Sequence, residues 1–216
     1  MPTSLGAVIV SHPARVLFVH VQKTGGSTVQ SVLLDRLPGA ERLAGLPGAK
    51  HALLRTALNR HPELRSYWTF GFVRNPWARL WSWWSMIDRR QVQRGEGHAW
   101  ATRRIDNNNF WSGVLRDLPD FEAFVLRGPE QFTRLRTPQL RYLEAGDRRA
   151  DFIGRTESFG EDLTDACRHL GIEPPPQEAR RNAGPTSSYR DHYTPAMRDR
   201  VGEMFAADID EFGYEF

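Results

Sequence analysis

One stretch limits what this chain can fold into more than any other: VLFVHVQKTGGSTVQSVL, residues 16–33. Residues 16–21 are apolar apart from His20 and read as a buried strand. Lys23, Thr24, Gly25, Gly26, Ser27 and Thr28 follow as a short basic loop rich in hydroxyls. Val29, Val32, Leu33 and Leu37 then keep helical spacing until Pro38-Gly39 ends it. Where a strand turns into a helix, several backbone N–H groups and the positive end of the helix dipole point at one spot. Glycines let the backbone wrap closely around a phosphate-sized group; Ser27 and Thr28 add hydroxyls and Lys23 a full charge. The phosphate loop of nucleoside triphosphatases, G-x-x-x-x-G-K-[ST], has its lysine after the glycines, whereas here it comes before them. The stretch therefore predicts phosphate binding without the usual magnesium apparatus.

Two further apolar runs, YWTFGFV (67–73) and DFIG (151–154), read as buried strands, and GAVIV (6–10) as an additional edge strand or one arm of a hairpin. Buried strands followed by amphipathic helices predict an α/β chain with a central parallel sheet flanked by helices. Arg74 ends the second run. Parallel strands would bring it to the crevice that holds the first loop, the usual ligand position in an open α/β sheet. Asn75 is a ready N-cap and Pro76 suits the first helical position. Trp77, Leu80, Trp81 and Trp84 then form one apolar stripe. Ser82 falls about 140° from that stripe, free to meet a ligand, and Ser85, at about 80°, is a poorer candidate. A third helix is predicted from about 158 to 170, with Phe159, Leu163, Cys167 and Leu170 inward and Gly171 after it. Thr194-Pro195 opens a last helix with Met197, Val201, Met204, Phe205 and Ile209 on one face. Between 85 and 150 several short helices are expected, with RGEGHAW and RIDNNNF as loops, and EPPPQEARRNAGPTSS (173–188) reads as a long surface loop.

A length of 216 residues allows one sizeable domain, taken as residues 1–216. The net charge is +3, yet only Lys23 and Lys50 are lysines among 29 basic residues. A coding bias of that kind makes runs such as ATRRI and GDRRA weak evidence for nucleic-acid binding, and the arginines are spread among acidic residues. No apolar run approaches the ~18 residues of a membrane span, and the start lacks the pattern of a secretory signal. Cys167 is the sole cysteine, which excludes an intrachain disulfide and a cysteine metal cluster. A cytoplasmic protein without a membrane anchor is expected.

Together, FVHVQKTGGST, FGFVRNPWARLWSWW, DFIGRTESFGEDL and DIDEFGYEF resemble the sulfotransferases that use 3′-phosphoadenosine 5′-phosphosulfate (PAPS), in the large branch that includes the carbohydrate sulfotransferases. The resemblance runs through nearly the whole chain in order and is weakest over 88–130. The first two motifs are quite specific and the others supporting. It implies the P-loop-NTPase-like sulfotransferase fold, PAPS as sulfuryl donor, 3′-phosphoadenosine 5′-phosphate (PAP) as product, and no metal. By this likeness Lys23, Thr24, Gly25, Gly26, Ser27 and Thr28 grip the 5′-phosphosulfate, while Arg74 and Ser82 bind the 3′-phosphate. Family members often have proline where this chain has Gln22, which loosens the entry to the loop but removes no donor. Arg155 and SSYRDHYT (187–194) are candidates to close over the nucleotide. The acceptor implied is a hydroxyl of a glycan or other small molecule.

Sulfuryl transfer moves a less charged group than phosphoryl transfer, so positioning and electrostatic stabilisation should dominate. Lys23 is placed to neutralise charge on the oxygen between sulfur and the departing phosphate. The attacking hydroxyl needs a base. His51 is the first choice, because it opens an apolar-periodic segment after a glycine-rich loop and matches a Lys-His pair in the family. His20, just before the anion loop, is the rival, and a carboxylate is a third option. Lys50 either attracts an anionic acceptor or is an ordinary surface charge. Trp83, Trp100, Trp111 and His98 are acceptor-site candidates. Two other readings exist: a small-molecule kinase using ATP and magnesium, which the loop order disfavours, and a non-catalytic basic nucleotide- or nucleic-acid-binding module.

Overall fold

The computed structural model describes residues 8–46, 51–176 and 188–216. In chain order, β1 (Val8–Ser11), β2 (Val16–Val19), α1 (Gly26–Arg36), β3 (Ala40–Arg42), α2 (Leu54–Arg60) and β4 (Trp68–Val73) come first. A helical stretch follows: α3 (Pro76–Gly95), α4 (Ala99–Asp106), α5 (Asn109–Asp117), α6 (Phe121–Leu126), α7 (Gly128–Gln131) and α8 (Thr133–Arg136). Then come α9 (Leu140–Leu143), the short strands β5 (Glu144–Ala145) and β6 (Arg148–Arg149), β7 (Phe152–Arg155) and α10 (Phe159–His169). The chain finishes with α11 (Pro195–Met204) and α12 (Ala206–Phe212). Two compact units result, Met1–Arg74 with Gln139–Ala183, and Asn75–Pro138 with Gly184–Phe216.

The first unit holds a five-stranded sheet in the order β3-β1-β2-β4-β7. β2, β4 and β7 pair in parallel, and β1 runs antiparallel to both its neighbours. The sheet is thus mainly parallel. Within GAVIV the described residues, 8–10, belong to β1, an arm of a hairpin rather than an edge, because β3 pairs outside it. Ile9 lies opposite Phe18, Phe18 opposite Phe70 and Phe70 opposite Phe152, so these four share one face. On that face Val29, Val32 and Leu33 of α1 pack with Phe159, Leu163 and Cys167 of α10. Truncating a ring at the centre, as in Phe70→Ala, is expected to cost about 3–5 kcal/mol. The opposite face is covered as well: Leu17 and Val19 are fully buried, and Leu143 of α9 sits so near Gly71 that a Cβ there would lie 2.4 Å from it. Burial on both faces is why 16–21 and 67–73 appear in the sequence as continuous apolar runs. β3, with the sequence Ala-Glu-Arg, is a partly exposed edge and carries no such signal.

The second unit is helical. Asn75 caps α3, its side-chain oxygen accepting from the N–H groups of Trp77 and Ala78, and Pro76 occupies the first turn. The helix buries a wider arc than one stripe: Trp77, Leu80, Trp83, Trp84 and Ile87 are all buried, together with the fully buried Arg79. The Arg79 guanidinium lies over the ring of Trp83 at 5.4 Å and that of Phe205 at 5.9 Å. Trp81, expected in the core, is only half-buried and stacks on His192 with ring centroids 3.7 Å apart. The loops expected at RGEGHAW and RIDNNNF shrink to residues 96–98 and 107–108, since α3 runs on to Gly95 and α4 and α5 take up the rest. The last predicted helix breaks at Phe205 (φ −116°, ψ 25°), which separates α11 from α12.

Candidate active site

β2 delivers its C-terminal end into the loop and α1 begins at Gly26. Two residues of the loop are left-handed, Lys23 at φ 69° and Gly25 at φ 81°. Glycine adopts this conformation readily, whereas for lysine it is uncommon and strained. Both glycines are also required by close approach. A Cβ on Gly25 would lie 2.5 Å from the ring of Phe159, and one on Gly26 would lie 2.0 Å from the Cδ2 of His20. The Thr28 N–H closes the turn onto the Gly25 carbonyl at 2.9 Å, and Gly26 and Ser27 are the first two residues of α1, whose N–H groups have no partner within the helix. Ser27 is exposed and Lys23 half-buried.

Thr24 departs from expectation. It is fully buried, and its hydroxyl donates to the Val21 carbonyl at 2.9 Å. That side chain holds the loop from inside. Gln22 is likewise buried, and the Tyr142 hydroxyl meets its Oε1 at 3.3 Å, which tethers the entry to the loop instead of loosening it.

Arg74 follows β4, half-buried, with Nη1 donating to the Lys23 carbonyl at 3.5 Å. A contributor without sequence signature fixes this position. Gln139, fully buried, accepts from the Arg74 N–H at 2.9 Å and donates to the Arg74 carbonyl at 2.7 Å, completing the end of β4 as another strand would. Nothing in TPQLRY marks that glutamine. Ser82 lies in the second turn of α3, half-buried, in the second unit.

His51 and His20 meet. Their ring centroids are 5.0 Å apart, edge to face, and His51 Nδ1 lies 3.3 Å from the His20 carbonyl oxygen. Burial, then the charges of Arg42 and Lys23, push His20 down to about 4. Arg42, at the end of β3, donates to Gln30 Oε1 of α1 at 3.2 Å. Lys50 lies outside the described residues, as does Ser187 of the 187–194 segment. Arg155 is exposed at the end of β7, while Tyr189–His192 form a short 3₁₀ turn in the second unit.

Among the acceptor candidates, Trp83 and Trp111 are buried, at 3% and 9% exposure, because α3 and α5 pack their rings inward. Trp100 is 41% exposed, with Arg90 over its ring at 4.7 Å, and His98 is exposed beside it. The depression at the start of α10 is lined by three carboxylates, Glu157, Glu161 and Asp165, against one cation, Arg168, an acidic balance that disfavours an anion. Among the described residues, no group of three or more His, Cys, Asp and Glu is placed to hold a metal, and no helix is long and apolar enough to cross a membrane.

A glycine cradle closed to any Cβ, helix-start amides, a left-handed lysine and a tethered arginine come together at the carboxyl ends of parallel strands. The model of the sulfotransferase family matches residues 7–215. The chain belongs to that family and is an enzyme that transfers sulfate. No curated protein and no solved structure matches it significantly.

Proposed function

We propose that residues 1–216 form one sulfotransferase domain, acting in the cytoplasm, that moves the sulfuryl group of PAPS to a hydroxyl of a carbohydrate or other small acceptor by in-line transfer without a metal. The observation that carries this reading is the left-handed Lys23 at the mouth of the glycine cradle, with its carbonyl held by Arg74. Strain in a non-glycine residue persists where the surroundings over-determine it, and here it falls on the lysine two residues before the glycine cradle. The family match runs across both units, which supports a single domain. A chain with one cysteine, Cys167, suits a reducing compartment.

PAPS, when bound, supplies an activated sulfuryl group and a phosphate leaving group. The cradle fits its 5′ end: Gly25, Gly26 and Ser27 offer amides, and Ser27 and Thr28 hydroxyls. Lys23 offsets charge on the departing oxygen, as an ammonium does best where charge develops. Arg74 is assigned to the 3′-phosphate, and Ser82 has the same assignment on sequence grounds alone. His51 takes the proton of the attacking hydroxyl.

Thermal unfolding with PAP, ADP, ATP and magnesium-ATP tests this directly. A ligand at ~100 times its dissociation constant adds about 2.7 kcal/mol to the fold. PAP alone should raise the melting temperature without metal, and Arg74→Ala should remove the shift. A shift with magnesium-ATP and none with PAP would replace the reading by a kinase.

A further inference from the structure

We infer that His20 is a positioning residue that fixes the tautomer of His51, so that Nδ1 of His51 carries the proton and Nε2 presents the lone pair that accepts a proton. The inference rests on the proposed function only for the source of that proton, the acceptor hydroxyl.

The tautomer is read from the contact of His51 Nδ1 with the His20 carbonyl oxygen, at 3.3 Å. A carbonyl oxygen has no proton to give, so the contact is attractive only if Nδ1–H donates. In a neutral imidazole the other nitrogen is then the base. The carbonyl is fixed in turn because the His20 ring is wedged in place. It stacks on Phe18 at 6.1 Å and meets His51 edge-on at 5.0 Å. It also occupies the space that any Cβ on Gly26 would need, 2.0 Å from its Cδ2.

The same surroundings make His20 a poor base. Burial first, then Arg42 from β3 and Lys23 from the loop, hold its ring neutral down to about pH 4. A group that binds a proton so weakly gives little help in removing one from an alcohol. The pair is therefore asymmetric: one histidine kept neutral as a fixed support, the other oriented to work. In the transfer, the hydroxyl proton passes to His51 Nε2 as the acceptor oxygen bonds to sulfur. The bond from sulfur to the phosphate oxygen breaks, and that oxygen keeps the electron pair.

Nitrogen-15 spectra of the full chain labelled at its seven histidines read the tautomer without donor or acceptor present. The His51 and His20 signals are assigned by their loss in His51→Gln and His20→Phe. The expected result is His51 at neutral pH in the Nδ1–H form. His51 found as the Nε2–H tautomer overturns the inference, whatever PAP binding shows, so the two readings fail separately. His20→Phe should keep this preference, because a ring still fills the wedge, and His20→Ala should lose it. A preference that survives His20→Ala overturns the part given to the His20 ring. Should either variant fail to fold, the wild-type spectrum with His51→Gln still decides the tautomer.

Discussion

Lys23 and Gly25 adopt the same left-handed region, at φ 69° and 81°, yet only glycine does so without strain. Lys23→Gly should therefore raise stability, by about 1 kcal/mol or less after the extra chain entropy of glycine is counted, while Lys23→Ala keeps the strain. Both variants should lose turnover by roughly 100-fold or more, as removal of one charge-stabilising donor does elsewhere. Urea unfolding beside a sulfate-transfer assay would check this; a Lys23→Gly variant that keeps full turnover would remove the lysine from the chemistry. Gly26 is constrained differently, by the His20 ring against it. Gly26→Ala should cost about 1–3 kcal/mol through overpacking. Much of that cost should vanish in a His20→Ala background, where the ring is gone, and a double-mutant cycle by urea unfolding reads the coupling.

At the scale of elements, the best-marked pieces are those in which local chemistry and burial agree. β2, the loop and α1 follow directly from VLFVHVQKTGGSTVQSVL, and Asn75-Pro76 and Gly171 mark the start of α3 and the end of α10. β3 escapes notice because Ala40–Arg42 has no apolar alternation and exists through its pairing with β1. The extent of Trp83 burial depends on which helices pack on α3, which periodicity in α3 alone does not hold. The meeting of His20 with His51 spans 31 positions, and the link from Gln139 to Arg74 spans 65; neither has a local motif. The Gln139 link has a consequence for β4. Gln139→Ala deprives the Arg74 N–H and carbonyl of their partner at the end of the strand. An unsatisfied buried group costs about 1–3 kcal/mol, so the loss should fall in the range of roughly 2–4 kcal/mol. PAP binding should weaken at the same time. A variant that is destabilised but binds PAP as wild type does would confine Gln139 to a structural role.

For the molecule as a whole, the buried environment of His20 makes global stability depend on pH in a predictable direction. The folded chain holds this histidine neutral down to about 4, whereas its ordinary value is 6.5. Below pH 6.5 the unfolded chain takes up a proton that the folded chain refuses. Stability from this source is therefore fully present above pH 6.5, declines as pH falls towards 4, and changes no further below that. The separation of the two values sets an upper limit of about 3 kcal/mol, and partial exposure of the ring lowers it. Carboxylates begin to titrate at the low end of this window, so the difference between wild type and a His20 variant, not the change with pH alone, isolates this histidine. Urea unfolding at pH 7 and at pH 4.5 should show wild type losing more stability than His20→Phe, whose ring cannot take a proton. Equal losses would mean that His20 titrates in the folded chain as it does in the unfolded one. The neutral support assigned to it beside the glycine cradle would then be absent, and His20 would return as a rival to His51 for the proton of the attacking hydroxyl.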